Sequence, residues 1–100
     1  MKELLGVDLL GMTIIEHRAD GENVVGEING SGVTRENLTL GWHAYYQDQT
    51  RQMMVFLPSC WECDIVAGVV FLKRIAKDPP DGKDNPSPRA DMYILFKQAR

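Results

Sequence analysis

Cys60 and Cys63 are the residues of this chain whose types and spacing best suit covalent chemistry. They stand in the run Cys60-Trp61-Glu62-Cys63 after a predicted strand, and Ser59 with Glu62 fits the capping box that starts many helices. The free amides and the dipole at the N-terminus of a helix stabilise a thiolate, which is the physical basis of dithiol redox motifs. One functional hypothesis is therefore a thiol-redox protein centred on these two cysteines.

A strand followed by Cys-x-x-Cys resembles thioredoxin-type proteins over residues 55–76. The resemblance implies redox catalysis by Cys60 and Cys63. It extends no further, because that family needs another strand, a helix and a cis-proline before its last hairpin, and only 37 residues follow Cys63. The competing interpretation is that both thiols are packed without chemistry, since free cysteine commonly behaves as a small hydrophobe.

The same two cysteines supply one pair of ligands for a zinc site, which needs four in tetrahedral geometry. The alternative metal set is Cys60, Cys63, His17 and His43. The two histidines lie on different predicted strands, so this set requires the fold to bring all four side chains together. Two cysteines are too few for a disulfide-rich secreted scaffold, and both are predicted to be thiols in a reducing compartment.

Other catalytic patterns are missing from the sequence. It contains neither the Gly-x-Ser-x-Gly turn of a serine nucleophile nor the Gly-x₄-Gly-Lys-Ser/Thr loop that cradles phosphate. Glu16 and Glu27 are expected to face each other across a hairpin, but no pocket is evident that would shift the pKa of either carboxyl. We therefore predict a protein that is not an enzyme and that needs no cofactor.

Charge is distributed unevenly along the chain. Residues 1–50 contain three bases and eight acids, a net charge of −5, whereas residues 51–100 carry a net charge of +2. No basic stripe is present, and direct nucleic-acid binding, which needs clustered lysine and arginine, is not expected. An acidic half is instead suited to a basic protein partner, for example one that normally handles nucleic acid.

Exposed aromatic residues add to this interaction hypothesis. Tyr45 lies on the strand face opposite Trp42, so burial of Trp42 leaves Tyr45 in solvent, and exposed tyrosines are favoured anchors of protein interfaces. The preferred function is a non-catalytic protein–protein interaction module, a small regulator or inhibitor that occupies a surface of a larger partner. The predicted partner-binding residues are Glu16, Glu22, Glu27, Tyr45 and Asp48.

Length and composition describe a single small domain. The chain has 100 residues, of which 44% are hydrophobic and 25% charged, close to the average for globular proteins. No apolar run approaches the ~20 residues that span a bilayer. The first six residues carry an acid and lack the apolar segment of a secretory signal, which predicts a cytoplasmic protein that does not bind membranes.

Two hairpins are predicted in the first 57 residues. β-Branched runs at 12–18 and 24–29 flank Asp20-Gly21, which is typical of a tight hairpin turn. Apolar residues then occupy every second position from Leu38 to Tyr46, so one face of that strand is expected in the core. A polar turn at 48–51 leads to a strand at 52–57, which Pro58 should end.

The last 42 residues are harder to assign. Residues 59–77 fit both a helix and a strand, and we favour a helical turn after Ser59 that becomes a strand at 69–75. Residues 78–91 hold four of the five prolines and are predicted to be a long exposed loop. A final strand at 92–97 should pair antiparallel with the strand before that loop.

These elements predict a β-rich α+β domain over residues 1–100, with one mainly antiparallel sheet of five or six strands and one short helix. The alternative is a small all-β barrel. An open edge strand would also allow a homodimer.

Overall fold

The computed structural model describes residues 2–45, 49–50, 53–78 and 88–98, with the backbone alone at 49–50. A single 3₁₀ turn at Lys2–Leu4 precedes the strands and is the only helical segment among the described residues. The strands are β1 Thr13–His17, β2 Asn23–Val33, β3 Leu38–Ala44, β4 Gln49–Thr50, β5 Met54–Phe56, β6 Trp61–Val66, β7 Val69–Arg74 and β8 Met92–Phe96.

The described strands form one antiparallel sheet that curls into a nearly closed barrel of seven strands. Their order is β4-β3-β2-β1-β8-β7-β6, and β5 pairs with β3. The predicted antiparallel sheet is confirmed, five or six strands is slightly too few, and the barrel alternative fits. Because β8 pairs with both β1 and β7, the two ends of the chain meet inside one continuous sheet.

The first predicted hairpin is confirmed. β1 pairs antiparallel with β2, and the connecting turn places Gly21 at φ +88°, a conformation that favours glycine. The Gly21 N–H donates a 3.0 Å hydrogen bond to the carbonyl of Arg18, which closes the turn. The predicted turn at Asp20-Gly21 is therefore in the right place for a local physical reason.

The second predicted hairpin is also confirmed, since β3 pairs antiparallel with β5. The alternating apolar positions of β3 are buried as expected, with Trp42 fully enclosed. Gly26 on β2 permits this, because a Cβ there would lie 2.6 Å from a ring carbon of Trp42. Residues 49–50, predicted as part of a turn, form the short strand β4, and Tyr46 lies outside the described residues.

The helical turn predicted after Ser59 is wrong, because β6 begins at Trp61 and runs antiparallel to β7. Ala67 and Gly68 make the connection, with φ of +51° and +80°. Two adjacent positive φ values define the tight turn that best matches the twist of two paired strands. The strand predicted at 69–75 is confirmed as β7.

The two ends of the proline-rich segment are tied together by Arg74. Its guanidinium is paired with Asp78 before the segment and, at 3.0 Å, with Asp91 after it. It also donates to the carbonyls of Pro88 and Ala90, at 2.8 and 3.0 Å. Both described ends are thus packed against the barrel, and residues 79–87, predicted as an exposed loop, lie outside the described part of the chain.

The core lies inside the barrel and contains three packed aromatic rings. Phe56 makes edge-to-face contacts with Trp61 and Tyr93, at ring-centroid distances of 4.9 and 5.3 Å. Leu4, from the 3₁₀ turn, is fully buried and closes part of this core. Among the described residues no helix has the length and apolar character needed to cross a membrane.

Candidate functional site

The outer face of the barrel carries apolar side chains on four neighbouring strands. A barrel strand needs only one apolar face, toward the core, and its other face is normally polar. In β2, β1, β8 and β7 adjacent residues are both apolar, so one of each pair points outward. The outward members are only partly buried and are defined here as the outer row: Val25, Ile15, Ile94 and Phe71.

Strand register makes these four side chains contiguous. Ile15 lies opposite Val25 on one side and opposite Ile94 on the other. Ile94 in turn lies opposite Phe71. Directly opposed residues share a face and are close enough to contact, so the outer row forms one apolar band across the sheet.

The outer row ends in two exposed residues. Tyr45 is 43% exposed, and its N–H donates a 3.0 Å hydrogen bond to the carbonyl of Val25, beside the first residue of the row. At the other end Asp64 lies opposite Phe71. With neighbouring strands about 4.8 Å apart, the band from Tyr45 to Asp64 crosses six strands and measures roughly 24 Å.

One of the predicted acidic residues, Glu27, lies on the same face as this band. Glu27 is exposed on the outer face, opposite Thr13 on β1 and opposite His43 on β3. Glu22 is exposed in the turn before β2, where its N–H donates to the side chain of Asp20 at 2.9 Å. Glu27 and Tyr45 therefore lie on the outer face, whereas Glu22 lies in the turn at the end of the first hairpin. Asp48, the fifth predicted residue, lies outside the described part of the chain.

Glu16 occupies a different environment from the other predicted acids. It lies opposite Val24 and Tyr93 rather than opposite Glu27, so the predicted facing of the two carboxylates is wrong. Its side chain is 1% exposed and points into the barrel. There it accepts hydrogen bonds from the Tyr93 hydroxyl, at 2.6 Å, and from Arg18 Nε, at 2.9 Å. Glu16 is a buried, hydrogen-bonded carboxylate and is not part of the outer surface.

The two cysteines are free thiols in unlike positions. Cys60 is buried, and its Sγ lies 3.6 Å from both the Ser59 hydroxyl and the carbonyl of Lys77. Burial, together with the charges of Glu3 and Asp64, raises the pKa of the Cys63 thiol to about 11. A thiol with that pKa is protonated near neutral pH and is a poor nucleophile, and the helix that was expected to activate it is a strand.

The alternative metal ligands do not form a cluster. His17 lies on the outer face, where its Nδ1 is 2.6 Å from the side-chain oxygen of Asn23. His43 lies opposite Glu27 on β3, and Cys60 is buried beside Lys77. Within the described ranges no group of three or more histidine, cysteine or acidic side chains is arranged to hold a metal ion.

A cleft of about 460 Å³ lies at the seam where β5 and β6 fail to pair. Trp61, Glu62 and Cys63 of β6 line it, together with Pro58 and residues of the 3₁₀ turn. Its wall mixes carboxylates, cations and apolar groups. Among the described residues it brings together no nucleophile and base within hydrogen-bond reach.

The outer row was missed by the sequence reasoning, although a signal for it exists. Each contributing strand has consecutive apolar residues, as in Ile14-Ile15, Val24-Val25 and the run from Val69 to Leu72. Such a run is expected in a strand buried on both faces. In a small barrel, on whose outer face no described helix or strand is packed, the same run predicts an apolar surface.

No protein-family model, curated protein or solved structure matches this chain.

Proposed function

We propose that this protein is a non-catalytic binding module that regulates or inhibits a larger, basic protein by occupying one of its surfaces. The observation that carries this proposal is the outer row. Its four side chains are partly exposed, and a contiguous apolar band at the surface of a small domain is a common mark of a protein-binding site. Apolar residues with a tyrosine at the edge and a polar rim are also the usual anatomy of a protein interface.

The charge around the outer row supports a basic partner. Glu27 is exposed on the outer face, Glu22 is exposed in the turn before β2, and the first half of the chain has a net charge of −5. Complementary charge steers association and disfavours wrong partners more than it adds affinity. Proteins that handle nucleic acid carry the basic surface that such a rim would meet, so we favour a partner of that class.

The thiol-redox and zinc hypotheses receive no comparable support. Cys63 has a raised pKa, Cys60 is buried, and neither cysteine lies in a described cluster of metal ligands. A cytoplasmic location remains our proposal, and the two free cysteines are compatible with a reducing compartment.

Affinity capture from cell extract with charge-reversed variants tests the proposal. We expect Glu22→Lys combined with Glu27→Lys to lose captured protein at low salt, while Glu36→Lys, an exposed acid in the β2–β3 turn, retains it. Binding by the original protein should weaken as salt rises, because exposed charges are screened within about 8 Å at physiological ionic strength. Capture that is the same for all three proteins at low and high salt would contradict the proposal.

A further inference from the structure

The outer edge of β6 borders the seam of the barrel. β6 is the last strand in the sheet order, and no described strand pairs with its side away from β7. An unpaired edge presents a row of main-chain donors and acceptors that can pair with another extended chain. The seam is therefore a place where a strand can be added.

The turn between β6 and β7 determines which main-chain groups of β6 face the seam. Ala67 and Gly68 form a two-residue turn with positive φ, and Val66 and Val69 flank it as opposed residues. In such a hairpin the flanking pair exchanges hydrogen bonds, and bonded and non-bonded pairs then alternate along the ladder. Even-numbered residues of β6 thus bond to β7, and odd-numbered ones point outward.

A main-chain hydrogen bond of Trp61 agrees with this alternation. The N–H of Trp61 donates to the carbonyl of Leu57, at 2.9 Å, on the side away from β7. The N–H and C=O groups of Cys63 and Ile65, two and four residues after Trp61, also point away from β7. Among the described residues they have no main-chain partner. The free edge therefore offers two residues, each able to exchange a pair of hydrogen bonds.

The two faces of β6 carry different side chains, charged on one face and apolar on the other. Glu62 and Asp64 project outward and are exposed as an acidic row, with Lys73 of β7 opposite Glu62 on the same face. Cys63 and Ile65 project to the opposite face of β6. Cys63 is half-buried there, and Ile65 is 42% exposed. An added strand would thus meet carboxylates on one face and apolar groups on the other.

The cleft at the seam runs past this edge. Neighbouring residues of a strand project to opposite faces, so a cleft lined by Trp61, Glu62 and Cys63 passes the edge of β6 rather than one face. Two cations and two carboxylates also line it: Lys2, Arg35, Glu3 and Glu62.

A second copy of this chain is poorly suited to the edge. Antiparallel pairing of β6 with its own copy keeps each residue opposite one of the same face. A register centred on Cys63 places Glu62 opposite Asp64 of the copy, and registers centred on Glu62 or Asp64 place that acid opposite itself. A register centred on Ile65 avoids these pairs but joins only residues 64–66 of each strand. Like charges directly opposite each other destabilise a strand pair.

We propose that the free edge of β6 binds an extended segment of a partner protein in which basic and apolar residues alternate. The segment pairs antiparallel with Cys63 and Ile65 through main-chain hydrogen bonds, its basic residues lie beside Glu62 and Asp64, and its apolar residues lie on the cleft side. This is strand addition to an open sheet edge, in which main-chain bonds give affinity and alternate side chains give specificity. The inference rests on the proposed binding function and specifies how one part of the partner is recognised.

Amide hydrogen exchange on the purified full-length protein tests the edge itself. We expect slow exchange at Glu62, Asp64 and Val66, which bond to β7, and fast exchange at Cys63 and Ile65. Protection of all five amides would overturn the proposal, because the edge would then already be covered. Protection of Cys63 and Ile65 that rises with protein concentration would make a second copy the occupant and would overturn it as well.

Titration of the labelled protein with synthetic peptides, followed by amide chemical shifts, tests the occupant. A peptide of alternating lysine and valine should shift the resonances of residues 62–66 and slow exchange at Cys63 and Ile65. N-methylation of its valines should abolish binding, because those amides face the edge, whereas N-methylation of its lysines should be tolerated. Equal binding of an alternating glutamate and valine peptide, or no binding of the lysine peptide, would overturn the proposal.

Charge reversal at Glu62 and Asp64 should weaken binding of the lysine peptide about tenfold, since two attractive cross-strand pairs become repulsive. The matched control is an Asp8→Lys and Glu36→Lys protein, which has the same change in charge at two exposed acids away from β6 and should bind the peptide normally. If the control variant binds the peptide normally but the original protein captures no partner from cell extract, the proposed function is wrong while the edge site stands. An equal loss in both variants would instead overturn the edge site.

Discussion

The hydroxyl of Tyr93 donates a 2.6 Å hydrogen bond to the buried carboxylate of Glu16, across the pair of β1 and β8. The same hydroxyl accepts hydrogen bonds from the N–H groups of Arg89 and Ala90, at 3.1 and 3.3 Å. One side chain thus connects the first strand, the last strand and the end of the proline-rich segment. Because a buried carboxylate is costly unless its oxygens are paired, this connection is important for stability.

Replacing Tyr93 with phenylalanine should lower the free energy of unfolding by about 1.5–3 kcal/mol, the range for a hydrogen bond to a charged group. The ring packing against Phe56 would remain, so the loss reports the hydroxyl alone. Chemical denaturation measures it, with Tyr45→Phe at an exposed site as the control. Equal stability of the two variants would show that the Glu16 contact contributes nothing.

Stability should also decrease at high pH because of Tyr93. Burial and the adjacent Glu16 carboxylate raise the pKa of its phenol in the folded protein. The contribution is therefore fully present below about pH 10, where the tyrosine of the unfolded chain ionises, and is lost as the pH rises toward the higher folded value. Denaturation curves at increasing pH should show a steeper loss for the original protein than for Tyr93→Phe. Parallel pH profiles would contradict the assignment.

The thiol of Cys63 should be unreactive at neutral pH. Its pKa of about 11 means that only a small fraction is thiolate near pH 8. In a Cys60→Ser protein, the rate of alkylation should rise with pH and reach half its maximum near pH 11. Rapid alkylation well below pH 8 would instead revive the thiol-redox hypothesis.

Exchanging Arg74 for lysine should destabilise the barrel by about 1–3 kcal/mol although the charge is kept. The guanidinium binds groups on both sides of the proline-rich segment and lies 4.5 Å from the centre of the Trp61 ring. A lysine ammonium cannot reproduce that planar set of contacts. Thermal unfolding gives the measurement, and Lys73→Arg at the neighbouring exposed position is the control. A melting temperature equal to that of the control would contradict this role.

Patterns of adjacent residues predicted the hairpins well. They did not predict contacts between segments that are distant in the sequence. The turn at Asp20-Gly21 and the alternation from Leu38 to Ala44 each depend on a few adjacent residues, and both are confirmed. The capping-box pattern at Ser59 was misleading because β-branched residues follow it and β7 is available as a partner. After Ser59, pairing with β7 therefore outweighed the local preference for a helix start.

The candidate site was predicted only in part for the same reason. Glu22, Glu27 and Tyr45 were correctly expected in solvent. Glu16 was predicted to be a surface acid because its hydrogen-bond partner Tyr93 is 77 residues away. The residues next to Glu16 in the sequence do not indicate that pairing. The outer row likewise depends on β8 lying between β1 and β7, a neighbourhood that no single segment of the sequence reveals.

Ile94→Lys tests the outer row most directly, because Ile94 lies between Ile15 and Phe71 at the middle of the apolar band. The variant should remain folded, since this side chain is partly exposed on the outer face. We predict that it loses the partner that the original protein captures, while Glu36→Lys keeps it. Full retention of that partner by a folded Ile94→Lys protein would contradict the central claim.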